Sequence, residues 1–242
     1  TLFPYTTLFR STKIIRNNGT KRGIITLENV SLQDVQSKLE EHCNKDSVKN
    51  VTRKEIENIK GTGAKVVVID FGVKNSVLES LKACNCDITI VPAMTTVEEI
   101  LNINPDLILL SNGPGNPEDI NDIVENIKKL IGKKPLTGIG LGHQILALAL
   151  GGKTSKLVFG HRGGNHPVKC LETGKVFITS QNHGYNVSEM PENTEVTHIN
   201  LNDNTIEGMR HKELPIYSVQ YIPEYTTKED LDCIFNKFLA LI

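Results

Sequence analysis

The feature that most constrains this chain is a series of short, unbroken apolar runs separated by stretches of helical periodicity. KVVVIDFG (65–72), DITIVPA (87–93), DLILLS (106–111) and PLTGIG (135–140) show no inside–outside alternation. A strand with that pattern is buried on both faces, as in a parallel sheet covered by helices. Between the runs, residues 75–83, a segment capped over Thr95–Glu98, residues 119–131 and residues 143–150 read as helices. This alternation predicts an α/β fold: a mostly parallel central sheet with flanking helices. After Gly151, HPVKCLETGKVFITSQNHGYNV, EVTHINLN, TIEGMRH and PIYSVQYI alternate as antiparallel strands do, predicting an antiparallel extension in the C-terminal half. A closing helix over 228–242 places Leu231, Ile234, Phe235, Phe238 and Leu241 on one face.

The N-terminal part has a different texture. Residues 1–11, TLFPYTTLFRS, lack a Met, a basic n-region and a signal-peptide cleavage site. They read as the in-frame translation of a sequencing adapter joined to a truncated gene. Residues 12–60 read as the C-terminal remnant of a preceding domain plus linker. Within them the sequence predicts a helix end, a turn at Asn18-Gly19 and a short strand. A helix capped over Ser31–Asp34, with Leu32, Val35 and Leu39 as its apolar stripe, follows, and then a polar linker from 43. Residues 61–242 form the remaining domain.

A net charge of -1 gives no sign of a nucleic-acid or membrane-surface partner. No apolar run reaches the roughly 18 residues of a membrane span. Five cysteines without framework spacing predict reduced thiols and a cytoplasmic setting. The lone C-x-C of Cys84 and Cys86 has no second ligand pair for zinc.

In open α/β sheets, ligand sites form at the carboxyl ends of the strands. Three loops qualify: SNGPGNP (111–117), GIGLGHQ (138–144) and YIPE (221–224). A sharp strand-to-helix turn needs a residue that tolerates positive φ and small neighbours that let the helix approach. Gly138, Gly140 and Gly142 supply both. Such an elbow normally carries a nucleophile at its centre, yet Gly140 has no side chain. The first N–H groups of the following helix, that of Leu141 among them, would face an anion or oxyanion. A glycine-rich turn with no chemistry fits the same residues.

In order along the chain, VIDFGVKNSVLESL (68–81), LLSNGPGNPEDI (109–120), GIGLGHQILALALGG (138–152), FGHRGGNHPVK (159–169), ITSQNHGYNV (178–187) and VQYIPE (219–224) resemble the class I glutamine amidotransferases. More narrowly, they are similar to the glutamine-hydrolysing small subunits of carbamoyl-phosphate synthetases. The resemblance implies the family's α/β fold, glutamine as substrate and, as partner, a large synthetase subunit. That partner would consume ATP and Mg, leaving no cofactor on this chain. Ammonia passed to it would feed pyrimidine and arginine biosynthesis.

The family's Cys–His–Glu triad maps onto Gly140, Ile222 and Glu224. Only the last is retained, so the resemblance implies a copy impaired in glutamine hydrolysis. An error in the sequence and genuine loss of two triad residues, by decay or repurposing, both account for this. Substrate-holding positions carry over as Gly113, Gly115, Leu141, Gln144, Asn182, Gly184 and Tyr185. Taken singly, Asn182 and Gly184 could only turn the chain, and Gln144 could only be a polar residue at a helix start. Cys84, Cys86 and the other cysteines offer no replacement thiol at the elbow. The spacings of His143, His161, His166 and His183 do not form a compact ligand set, and the resemblance places them in structural loops, so no metal is expected. A non-catalytic partner of an ammonia-dependent large subunit is the alternative function, and a small-ligand binding module on the same fold is a third.

Overall fold

The computed structural model describes residues 4–41, 46–223 and 228–242, with side chains described at 11–41, 46–223 and 234–242. A ten-stranded sheet runs in the order β1-β3-β2-β4-β5-β10-β9-β8-β6-β7. Its centre is β2 (Lys65–Asp70), β3 (Asp87–Pro92), β4 (Leu107–Leu110), β5 (Leu136–Ile139) and β10 (Ile216–Val219), all paired in parallel. These are the unbroken apolar runs, with β10 added. β4, β5 and β10 are buried at every position, as double-sided burial requires.

Helices α4 (Asn75–Ala83), α5 (Val97–Asn102) and α6 (Asn121–Leu130) link the parallel strands, α7 (Leu141–Ala149) leads from β5 into the C-terminal half, and α8 (Lys228–Leu239) closes the chain. Two apolar cores result, one on each face of the sheet. One contains Ile108, Leu110, Ile123, Ile127 and Ile145; the other contains Leu78, Leu81, Leu107, Leu109, Phe235 and Phe238. The cap of α5 sits one residue later than the sequence suggests. Thr96 is the N-cap, and Thr96 and Glu99 form a reciprocal capping box. The helix expected from Asp119 begins as a 3-10 turn over Pro117–Ile120, capped by Asn116, before α6 starts.

The C-terminal half is antiparallel, as expected, but longer-stranded. β6 (Lys153–Cys170) and β7 (Val176–Glu189) form a hairpin, and β8 (Thr194–Asn200) and β9 (Ile206–His211) join it to β10. The histidines of FGHRGGNHPVK and SQNHG, which the resemblance places in structural loops, lie inside β6 and β7. The ladder absorbs them through register shifts between Lys156 and His161 and between Gly163 and His166. Gly160 and Gly163 take positive φ at these irregularities.

The N-terminal part agrees only in places. α1 (Pro4–Asn18) ends at Asn18, and Gly19 follows at φ 73. Ser31 caps α2 (Leu32–Glu41): its Oγ accepts from Asp34 N at 3.1 Å and donates to the Asp34 carboxylate at 2.7 Å. The strand expected between them does not form, and Ile25 and Leu27 stand fully exposed. The reading of 43–60 as linker also fails beyond 45. α3 (Ser47–Val51) buries Val48 in the first core, and β1 (Glu57–Ile59) adds an antiparallel edge to β3. Arg53 fastens this segment to the end of β2. Its N–H and its guanidinium both reach Asp70 Oδ2, at 2.9 and 3.1 Å.

Candidate functional site

The carboxyl ends of β2, β4, β5 and β10 open onto a cleft of about 1540 Å³, roomier than the several hundred Å³ of a small-metabolite pocket. Gly140 and Leu141 contribute to it from the elbow, and Asn112, Gly113, Pro114 and Gly115 from the turn after β4. Gln220 and Ile222 follow β10, and Asn182, His183, Gly184 and Tyr185 lie on β7. Every site position taken from the sequence lines this cleft except Glu224, which lies outside the described residues.

The glycines of the elbow serve different purposes. A Cβ on Gly138 would lie 2.6 Å from the carbonyl carbon of Gly142, and one on Gly142 would lie 2.1 Å from Leu110 O. Both are glycines because α7 presses on β4 and β5. Gly140 has room: a Cβ there would meet Asn112 Cβ at 3.4 Å and Gln220 O at 3.7 Å, ordinary contact distances. What it needs is backbone freedom, at φ 58 and ψ -111. The turn is pinned by Gly140 N–H to Val219 O (2.9 Å) and by Gly142 N–H to Ser111 O (3.1 Å).

Gln144 holds the floor together. Its amide NH₂ donates to Tyr185 O at 2.7 Å and to Gln220 Oε1 at 2.9 Å. Both hydrogens are thus committed to the protein, leaving Oε1 as the atom with which Gln144 can meet a ligand. The N–H of Ile222 donates to Ser180 O at 3.1 Å, and its side chain packs against the second core. Asn112 ties the turn after β4 to the turn after β2, donating to Gly72 O (2.9 Å) and accepting from Lys74 N (3.2 Å).

Sequence reading missed Asn112 and Gln220 as wall residues, although both lie inside the cleft's own motifs. It also missed the basic rim. Lys21, Arg22, Lys38, Lys74, Lys156 and Arg162 surround the cleft, against the single carboxylate of Asp119 among the lining residues described. These residues are scattered over the chain, so no local charge run announces them. Such a rim suits a ligand bearing a carboxylate. Among the described lining residues there is no cysteine, and the one imidazole is that of His183.

His183 belongs to a polar cluster beneath the cleft wall. Burial pushes its pKa down to about 4. His161 faces it across the β6–β7 ladder. Burial opposes charge on His161, but hydrogen bonds to Glu207 and Asp203 outweigh it and lift its pKa to about 9. His143, on α7 below the elbow, is fully buried with Nδ1 at 2.8 Å from Ser218 Oγ. Burial, followed by the nearby His183 and His198, pushes it down to about 3, so it is a neutral ring within the core. The expectation that the histidines share no compact geometry therefore fails for His161 and His183.

This fold is that of a class I glutamine amidotransferase. The family model described as Glutamine amidotransferase class-I matches residues 67–241, and the chain belongs to that family. Within it, the chain is 55% identical over 229 residues to a carbamoyl phosphate synthase small chain of Clostridium perfringens, covering 94% of this chain and 66% of that one. It is 49% identical over 235 residues to the protein of the same description in Clostridium acetobutylicum, covering 95% and 67%. The chain spans about two thirds of the length of these relatives. Among solved structures, a GMP-synthase-type protein of Thermoplasma acidophilum superimposes with a TM-score of 0.65 at 24% identity, over 74% of this chain and 94% of that one. A glutamine amidotransferase of Thermotoga maritima gives 0.54 at 16% identity, over 74% and 85%. At these identities the two structures speak for the fold.

Proposed function

We propose that this chain is the glutamine-side subunit of a carbamoyl phosphate synthase and that, as it stands, it does not hydrolyse glutamine. It would work in the cytoplasm beside a large subunit that binds ATP and Mg, in the supply of carbamoyl phosphate for pyrimidine and arginine synthesis. The observation that carries the reading is the elbow. Its strand, turn and helix are built as for a nucleophile, with room for a side chain at 140, and Gly140 supplies none. Glutamine would lie with its side-chain amide over the Gly140–Leu141 peptide, framed by Gly113 and Gly115. Its α-carboxylate and α-amino groups would face Asn182, Gly184, Tyr185 and the basic rim. Thiol attack on that amide needs a Cys at 140 and a proton carrier at 222, where Ile222 offers only hydrocarbon.

A retained cleft with Gly140 and Ile222 in place of the triad's Cys and His also favours a non-catalytic role, in which the chain stabilises a large subunit working on free ammonia. Two measurements separate the readings. Purified chain should release no ammonia from glutamine, whereas Gly140→Cys/Ile222→His should gain turnover. Removing a nucleophile costs a serine protease roughly 10⁶ in kcat, so the span available for rescue is wide. Either single change alone should do little, because such groups act as a unit. Glutaminase activity that tracks the unmodified chain through purification would end the impairment reading. Failure to co-purify with a large synthetase subunit would end the partner reading.

A further inference from the structure

Strands β6, β7 and β9 bring His161, His183 and Glu207 together, with one ligand atom from each lying within 4.8 Å of the others. This is the one group of three or more potential metal ligands of this kind among the described residues. We propose that these side chains, with the amide oxygen of Gln181, form a structural site for a borderline divalent cation, zinc foremost, independent of the glutamine cleft's chemistry.

The argument begins with what the ring nitrogens face away from the cluster. His161 Nε2 lies 2.8 Å from the Asp203 carboxylate, and His183 Nδ1 lies 2.8 Å from the Tyr185 carbonyl oxygen. Neither partner can donate, so both nitrogens carry their proton outward. Metal-binding histidines are held in this way, with one ring N–H donated to a carboxylate or carbonyl and the other nitrogen free to ligate. The inner nitrogens, His161 Nδ1 and His183 Nε2, converge on Gln181 Oε1 at 2.9 and 2.7 Å. His161 Nδ1 is also 3.4 Å from Glu207 Oε1. Ligands about 2.1 Å from a tetrahedral zinc stand about 3.4 Å apart, so the His161–Glu207 separation already fits and the two contacts to Gln181 must open by about half an ångström.

The second observation is independent of the rings. Glu207 is fully buried; Asn200 donates to its Oε1 at 3.1 Å, and its Oε2 has no partner among the described residues. A buried carboxylate oxygen without a hydrogen bond or ion is expensive. A cation held by both oxygens of this carboxylate, among two imidazoles and an amide oxygen, would satisfy it, and binding would displace any proton held on the inner nitrogens. The donor set of nitrogen and oxygen suits zinc over calcium or magnesium, which take oxygen ligands. The ion would brace β7, which presents Asn182, Gly184 and Tyr185 to the cleft.

The test uses tag-free, chelator-washed full-length chain. One equivalent of Co²⁺ should give the visible bands of a tetrahedral nitrogen–oxygen site, and zinc should displace it and raise Tm where magnesium does not. Glu207→Gln, close to isosteric and able to keep the bond to Asn200, should weaken zinc at least tenfold. Asp203→Asn should weaken it ten- to a hundredfold by freeing the His161 ring. The Co²⁺ spectrum of the unmodified chain decides the matter even if a variant folds poorly. A thiolate charge-transfer band, the absence of tetrahedral bands, or zinc affinity unchanged in folded Glu207→Gln would overturn the site. Those outcomes would leave Gln181 as the centre of a metal-free hydrogen-bond network.

Discussion

Gly140 and Gly142 are neighbours in the elbow, but alanine should destabilise them by different mechanisms and amounts. At 140 the added Cβ finds its nearest neighbour at 3.4 Å, so the cost is backbone strain alone. Holding an L-residue at φ 58 and ψ -111 costs about 1–3 kcal/mol, against a gain of about 0.4–1 from a less flexible unfolded chain. The net loss is roughly 0.5–2 kcal/mol, or about 2–6 °C in Tm for a chain of this size. At 142 the backbone is helical and alanine's propensity favours it by about 1 kcal/mol. The obstacle is Leu110 O at 2.1 Å, the backbone of a central strand that cannot turn aside. Either α7 or β4 must shift, which also strains the Gly142–Ser111 hydrogen bond, so the loss should exceed about 3 kcal/mol. Equilibrium urea unfolding followed by far-ultraviolet circular dichroism measures both, since the chain has no Trp for fluorescence. The reverse order, or a Gly140→Ala variant more stable than the parent, would refute the division between a packing glycine and a conformational one.

Asp70→Ala should cost about 2–4 kcal/mol in the same assay, because it leaves the N–H groups of Arg53, Gly72 and Val73 without their carboxylate, while the part-exposed Arg53 guanidinium keeps Glu57. Arg53→Ala should cost less, its partner being able to keep those N–H groups. Thr96→Ala should lose about 0.5–2 kcal/mol with the capping box, and Thr96→Ser should recover most of it. Acid should destabilise the fold through His143, His183 and His198, held by burial at about 3, about 4 and about 4. Their folded pKa values lie below the unfolded value near 6.5, so their contribution is complete above that pH and is lost as pH falls towards 4. Together they should remove about 5–6 kcal/mol between pH 7 and 5. His161, raised to about 9, is protonated in the folded state throughout that range, so its own contribution is greatest at the acid end and only partly offsets the loss. A flat stability profile from pH 7 to 5 would contradict the buried neutral rings.

The central sheet was legible because double-sided burial leaves a local mark: β2 through β5 are apolar at nearly every position, and their connections carry caps and 3.6-residue periodicity. What was not legible depended on distant partners. β1 is a three-residue polar edge, ENI, which becomes a strand only because β3 offers an open flank. The GHRGGNH segment carries no strand alternation because glycines break it, yet the partner strand supplies hydrogen bonds on either side of each bulge. The histidines show the same limit more sharply. Linear spacing between His161 and His183 says nothing about geometry, whereas hairpin register makes them cross-strand neighbours, and Glu207 arrives from β9. The cleft's motifs were visible locally; its basic rim, gathered from α2, β6 and the turns, was not.

The elbow also explains how a binding site can outlast its chemistry. Gly138 and Gly142 are demanded by the approach of α7 to β4 and β5, whatever residue stands between them. The N–H groups of a helix start, the carbonyl held by Gln144 and the turn tied by Asn112 are contacts of backbone or of side chains other than 140. Losing a thiol at 140 therefore removes no packing contact that the fold requires, and it relieves the strain that a Cβ would impose at positive φ. Catalysis in such a site depends on a side chain the fold does not need, and binding depends on backbone the fold cannot discard. Mutation can therefore abolish the first without cost to stability, leaving a cleft still shaped for its ligand.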